Sequence, residues 1–374
     1  MSEKKFDLTY LSVDSVQEGV GSSQITPLIL GLANKGLKVC LITFEKTTPS
    51  SDLVEIFSAV GVTWIAKEFG GYGAIAGLKR LNILRRAIPQ SAILHGRSDL
   101  ATSAAIWSSV EAPVLWDVRS LWSDQRLLIG TKGWNSFTAR GARGLENVSA
   151  QESTAVTTLT AAVVPILEQR HKRIPTIREV IPTCVQTLKF LPSPMPQTQL
   201  TCLLSGSFNN YYDIGRTKQI LDEIRKTVDL RVIWASAGES PMAALGVGED
   251  LIVSANYSQM PKLVSDVHFG IAICKNENLD SLAAALPTKI GEFLASGRPV
   301  IVSNGIGDLD QMLESTKTGI VIGYNQSLNT IAEQVISLVN DVDTPERCRA
   351  LALQHFDMEK SVNRYVSIYD RMQY

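Results

Sequence analysis

The sequence predicts an α/β protein made of two successive domains, each built around a parallel sheet. Three observations carry that reading. Short apolar segments alternate with amphipathic stretches of helical period along the whole chain. At 374 residues the chain exceeds the length at which one core usually keeps growing. Near its middle the alternation breaks at Pro192, Pro194 and Pro196, within a short polar stretch that favours a stiff, extended connection, and then restarts.

In the first half a strand is expected over 6–13, a helix over 22–35 and, past Gly36, a second strand over 38–44. Short strands follow at 63–66 and 92–95, with a helix over 75–87 between them. Residues 101–110 read as helix, 113–118 as strand, 134–150 as a long helix and 155–159 as strand, before a helix from Ala161. The second half repeats the pattern. Strands are expected over 200–205, 230–235, 251–253, 269–274, 300–303 and 319–322, with helices over 213–227, from Lys289, and over 309–315. The last helix, 360–372, carries Val362, Tyr365, Val366 and Tyr369 on one face, which must pack on something. The expected division is 1–190 for the first domain, 191–198 for the linker, 199–355 for the second domain and 356–374 for the closing helix.

Composition excludes several classes. A formal net charge of -1 gives no global field for nucleic acid. Cys40, Cys184, Cys202, Cys274 and Cys348 are odd in number, far apart and without metal-ligand spacing, so they read as buried thiols in a reducing compartment. The start, Met1 to Asp7, lacks a secretory apolar core, and no apolar run is long enough to span a bilayer. A cytoplasmic protein is expected, with a place on a membrane face still open. P-loop, zincin and nucleophile-elbow patterns are missing; Gly19-Val20-Gly21-Ser22-Ser23 comes nearest to the last and fails at the spacing.

The stretch from Pro287 to Ile301 is the most informative. Lys289 and Glu292 share one helical face, and the helix start adds free N–H groups and a positive dipole that suit a phosphate. A cation for a diphosphate beside a carboxylate for sugar hydroxyls makes a coherent nucleotide-sugar pocket. An amphipathic helix with a surface ion pair fits the same residues.

Other candidates sit at expected carboxyl ends of strands, where parallel sheets bind ligands. Gly19 and Gly21, with Ser22, let backbone approach a ligand, or form a tight turn with a serine N-cap. A dinucleotide fingerprint would need a third glycine where Gln24 stands, although Glu45 has the place of its ribose acid. His95 and Arg97 end one strand, Asp117 and Arg119 another. Each alone suits a structural role, and their convergence suggests a site. Gly206 and Ser207 form a phosphate-approach loop or a left-handed turn, with Arg216 and Lys218 beyond. Tyr257 follows a strand where a planar base could lie. Arg126, Lys132, Arg140 and Arg143 interleave with Trp122, Leu127, Leu128, Ile129, Trp134 and Phe137. That composition fits a membrane interface or lipid-linked acceptor, and equally a buried helix with a solvated basic face.

With these pieces in order the chain resembles the bacterial family-four glycosyltransferases of the GT-B type over nearly its whole length. The carrying segments are Gly19 to Gln24 with Pro27, Gly36 to Glu45, His95-Gly96-Arg97-Ser98, Asp117-Val118-Arg119, Leu159-Thr160, Val180 to Cys184, Gly206-Ser207 with Tyr211-Tyr212, and Pro287 to Ile301 followed by Gly305 to Asp308. The resemblance implies two Rossmann-like domains facing across a cleft, with the C-terminal helix crossing back to the first. The first domain would take a glycan or lipid-linked acceptor and the second a nucleoside-diphosphate sugar. Glu292 would bond the ribose hydroxyls, Thr288 and Lys289 would face the diphosphate, and Gly206-Ser207 would approach it. The Gly19–Ser22 loop would close over phosphates or acceptor. The acceptor hydroxyl would arrive from the side of His95 and Asp117, with Arg97 and Arg119 alongside.

The resemblance further implies retention of configuration and no metal or other cofactor, the nucleotide sugar being substrate. The chain departs from the pattern at Ala284, where many members carry a glutamate that contacts the donor sugar. It departs again at Asp117, roughly where relatives often have a histidine. A nucleotide-sugar 2-epimerase of the same plan, a catalytically weak nucleotide-sugar-binding protein and, more distantly, an oxidoreductase are the alternatives.

Overall fold

The computed structural model describes residues 5–129, 134–206, 208, 211–236, 250–277 and 279–373. By their contacts these fall into two units, Met1–Pro182 with Met358–Tyr374, and Thr183–Asp357.

The first unit holds a seven-stranded parallel sheet. Its strands are β1 (Phe6–Leu11), β2 (Val39–Glu45), β3 (Thr63–Glu68), β4 (Ser91–Arg97), β5 (Val114–Val118), β6 (Ala155–Thr158) and β7 (Ile177–Val180). They lie in the order β3-β2-β1-β4-β5-β6-β7. The central strands are mostly apolar and buried because helices cover both faces; Leu8, Leu41, Leu94 and Leu115 are fully buried. The order reverses between β1 and β4, which pair from Phe6–Ser91 to Leu11–Gly96. A topological switch point therefore lies at their carboxyl ends.

The last helix, Met358–Gln373, packs in this unit. Its inward face is Val362, Tyr365, Ile368 and Tyr369, with Val366 only partly buried. Gly31 makes the approach possible, since a Cβ there would stand 2.5 Å from Val362 Cγ2.

The second unit carries β8 (Leu200–Ser205), β9 (Leu230–Ser236), β10 (Leu251–Ser254), β11 (Phe269–Ala272), β12 (Val300–Ser303) and β13 (Gly319–Ile322). Their order, β10-β9-β8-β11-β12-β13, places its switch point between β8 and β11. The core gathers Trp234, Phe269, Ile271 and Ile301 around Ile220, Leu221 and Ile224 of the helix Ile214–Arg225.

The proline stretch expected to join the domains is bonded into this second unit, and the chain divides earlier, after Pro182. The cause is Arg298, whose side chain is fully buried. Its guanidinium donates to the carbonyls of Ser193 (2.8 Å), Pro194 (3.0 Å) and Ser265 (2.6 Å) and to Ser193 Oγ (2.7 Å). A buried guanidinium needs several acceptors, and the extended prolines leave their carbonyls free to supply them.

Candidate functional site

The helix Thr288–Ala295 begins after Pro287, and no side chain caps its first turn. Proline at the cap position fixes an extended entry and ends β-type pairing before the helix starts. Lys289 is its second residue, and its ammonium lies over two rings, 4.2 Å from the Tyr212 centroid and 5.9 Å from that of Phe208. Among the described residues it makes no ion pair. Burial pushes its amine down to about 8, while Cys274 and Glu292 pull the other way.

One turn on, Glu292 is buried, and burial pushes its carboxyl up to about 7 against the opposing charge of Lys289. Tyr257, in the short turn Tyr257–Gln259, lies close enough to feel the Glu292 charge, and its buried hydroxyl has no hydrogen-bond partner. Burial, with Glu292 behind it, holds that phenol well above its ordinary range.

The switch point of the second sheet completes the arrangement. Gly206 ends β8 with φ +125°, and a Cβ there would stand 2.8 Å from Lys289 Nζ. Tyr212 pairs with Cys274 just past β11. Asp213 caps the next helix through the Arg216 N–H (2.8 Å), which fixes the Tyr212 ring at the helix start. A cation without a carboxylate partner among the described residues, a glycine backbone and an open helix start thus converge where a parallel sheet binds phosphorylated ligands. Ser207 lies outside the described residues.

In the first unit His95 and Asp117 come together, but deep in the protein, 0% and 1% exposed. His95 Nε2 lies 3.4 Å from Asp117 Oδ2, and Nδ1 lies 2.7 Å from the Tyr369 hydroxyl. The ring lies tilted against Tyr10, with centroids 4.3 Å apart, and against Tyr365 at 5.4 Å. Thr157 Oγ1 donates to Asp117 Oδ1 at 2.9 Å, and Tyr365 and the Arg119 guanidinium approach the same oxygen at 3.4 Å. Arg97 lies 3.9 Å from Asp117 and donates to Asp14 at 3.2 Å, across the β1–β4 switch point. Burial alone would raise the Asp117 carboxyl, yet Arg119, His95 and Arg97 hold it well below the usual range. Burial outweighs Asp117 at His95 and lowers the imidazole, favouring its neutral form.

No protein-family model and no curated protein matches the chain. Solved structures do. Sucrose-phosphate synthase from Thermosynechococcus elongatus is similar at a TM-score of 0.73 and 13% identity, covering 98% of this chain and 98% of that one. HepE of Anabaena, solved with UDP-glucose, gives 0.67 and 12%, covering 97% and 99%. WaaG, a glycosyltransferase involved in lipopolysaccharide biosynthesis, gives 0.69 and 12%, covering 97% and 99%. The two parallel sheets with their helices match the two Rossmann-like domains of these proteins. The chain has the GT-B fold.

Within that GT-B framework Gly206, Tyr257, Thr288, Lys289 and Glu292 gather at one end of the second sheet. The GT-B first unit treats its expected residues differently. Gly21 begins a wide turn, Gly21–Ile25, where a Cβ would stand 1.7 Å from the Ser15 carbonyl oxygen. The missing Cβ there makes room for the protein's own backbone. Gly19 has φ +53°, and its carbonyl accepts from Ser22 Oγ at 2.9 Å. Glu45, the candidate ribose acid of a dinucleotide fingerprint, is buried and accepts from Ser15 Oγ (2.5 Å), the Val16 N–H (3.2 Å) and Thr43 Oγ1 (2.5 Å).

The basic-aromatic segment is divided: Trp122, Phe137 and Arg140 are exposed, while other members are paired. Arg143 donates to Asp124 (3.1 Å) and Glu146 (3.3 Å), and Arg126 lies over Trp122. Lys132 lies outside the described residues, as do the side chains of Leu128, Ile129 and Trp134. Tyr212 enters the sequence reading only with Tyr211 as part of the resemblance and Phe208 not at all as a site residue, and neither is expected there to meet Lys289.

Proposed function

We propose that the protein transfers a sugar from a nucleoside-diphosphate sugar to a glycan, lipid-linked or other glycoconjugate acceptor. What carries the reading is Lys289, held over two aromatic rings, without a carboxylate partner among the described residues, at the open start of a helix on the carboxyl side of the second sheet. The UDP-glucose bound to HepE supports a nucleotide-sugar donor of this kind.

In this reading the diphosphate lies against Lys289 and the N–H groups of the helix start, and Gly206 allows close approach. The charge that develops as the sugar leaves is met by a fixed cation in a poorly solvated site, so stabilisation grows toward the transition state. Glu292 in its ionised form accepts from ribose hydroxyls, and Tyr257 borders the nucleoside. Retention, metal-independent transfer and a cytoplasmic setting belong to the same proposal. His95 and Asp117, both buried, act here as the support that sets Arg97 and Arg119 rather than as groups that meet an acceptor.

Titration calorimetry against a panel of nucleoside diphosphates tests the reading. Binding is expected, and Lys289→Ala should weaken it by at least ~1 kcal/mol, as for a lost charge-assisted contact. A wild-type protein that binds none of them would sink the proposal. Ala284, buried at 2% exposure, favours a second reading in which nucleotide sugar is bound and turned over slowly. Mass spectrometry of donor transfer or hydrolysis separates the two.

A further inference from the structure

The helix Ala74–Ala87 turns an unusual face outward. Ile75 and Leu78 are each 68% exposed and Ile83 is 39% exposed, and Tyr72 in the turn before the helix reaches 80%. Ile75, Leu78, Lys79, Asn82, Ile83 and Arg86 recur at three- and four-residue spacing, so they share that face. Ala76, Leu81 and Leu84 hold the opposite face in the core. Lys79, Arg85 and Arg86 are exposed. Among the described residues none of the three makes an ion pair, and the chain has no acidic residue from Phe69 to Gln90.

The turn that carries Tyr72 is built into place. Gly70, Gly71 and Gly73 take φ of +65°, +96° and +95°. The Arg80 guanidinium donates to the Phe69 carbonyl (2.8 Å) and the Gly71 carbonyl (2.6 Å) and lies 4.4 Å over the Phe69 ring. Phe69 meets Tyr72 edge to face at 5.0 Å. One cation of the helix therefore fixes the turn, and the others remain outward.

We propose that Tyr72 and the outer face of the helix Ala74–Ala87 dock on an anionic lipid bilayer. Apolar anchors interleaved with unpaired cations on one helical face suit the boundary between headgroups and acyl chains. There the anchors leave water and the cations meet lipid phosphates. An aromatic residue beside the helix suits the same depth. Charge decides against a second copy of this chain, because two such faces would bring like cations together. The proposal stands apart from the donor chemistry and from the membrane contact expected at the Trp122 to Arg143 segment.

Co-sedimentation of the whole protein with vesicles is the test. One set is phosphatidylcholine alone, the other an equal mixture with phosphatidylglycerol. Binding to the mixture alone is expected, weakening as salt is raised. Lys79→Ser and Arg86→Ser should each weaken it about fivefold. Ile75→Ser combined with Leu78→Ser should weaken it roughly tenfold. Unchanged thermal melting would show that these exposed substitutions leave the fold intact. Equal or absent binding to both vesicle types overturns the proposal, as do variants that bind like the wild type. So does a concentration-dependent dimer that the same substitutions abolish.

Discussion

The ammonium of Lys289 lies 4.2 Å from the centre of the Tyr212 ring, at the start of the helix Thr288–Ala295. The ring face offers partial negative charge without a full anion, so it orients the cation and leaves it free to meet a phosphate. Tyr212→Phe is expected to keep nucleoside-diphosphate affinity, while Tyr212→Leu weakens it by about 1 kcal/mol. Calorimetry on the two variants distinguishes them; equal affinities would remove the ring from the argument.

Gly206 should tolerate no side chain. A Cβ would meet Lys289 Nζ at 2.8 Å, and φ +125° strains any L-residue. Gly206→Ala is expected to displace the ammonium and weaken nucleotide binding about tenfold, roughly 1.4 kcal/mol. Binding at wild-type strength would show that the turn and the lysine are independent.

Lys289 and Glu292 set function against stability. The lysine amine sits near 8 in the folded protein against 10.5 ordinarily, so the unfolded chain binds more protons and stability rises with pH from about 8 to 10.5. The glutamate sits near 7 against 4.5, so the folded chain holds its proton longer and stability falls as pH rises from 4.5 to about 7. Both groups are charged mainly between about 7 and 8. In that window ligand-free stability is expected to be lowest and nucleotide affinity highest. Lys289→Met with Glu292→Gln should raise the melting temperature most there, through an effect on the order of 1 kcal/mol, and abolish binding. Melting curves across pH that show the largest gain elsewhere would contradict this.

The His95–Asp117 cluster is expected to act on stability before activity. Asp117→Asn leaves two arginines beside a neutral amide and should cost about 3 kcal/mol. Tyr369→Phe loses one buried hydrogen bond to His95 and should cost about 1 kcal/mol. Because the Asp117 carboxyl is depressed, its contribution is present above the ordinary value of 3.8 and is lost as pH falls below it. Denaturant titrations at neutral and acid pH check all three. Variants as stable as the wild type but inactive would return His95 and Asp117 to the reaction centre.

The alternation of apolar strands with amphipathic helices was readable from the sequence because each side-chain period reports which face a segment buries. The last helix shows the limit. Its Val362, Tyr365 and Tyr369 face was legible, but only the packing brings those tyrosines onto His95 and Asp117, more than 240 residues away in the chain. Several elements escaped the sequence reading, among them the helices Ser51–Ala59, Trp122–Ile129, Ile331–Asn340 and Thr344–His355 and the partly exposed strand β7. In Ser51–Ala59 only Phe57 is buried and in β7 no residue is fully buried, so neither shows a clear apolar face.

The sequence by itself determined two parallel α/β units and, through the spacing of Lys289 and Glu292 on one helical face, a cation and a carboxylate at a helix start. Tertiary structure alone decided the rest. It placed aromatic rings rather than a carboxylate against the lysine, removed Glu45 and Gly21 into internal packing, and buried His95 and Asp117. It also left the outer face of the helix Ala74–Ala87 uncovered. The physical reason is common to all of these. Residue type fixes what a side chain can do, but burial, charge and hydrogen-bond supply depend on neighbours that local spacing does not name.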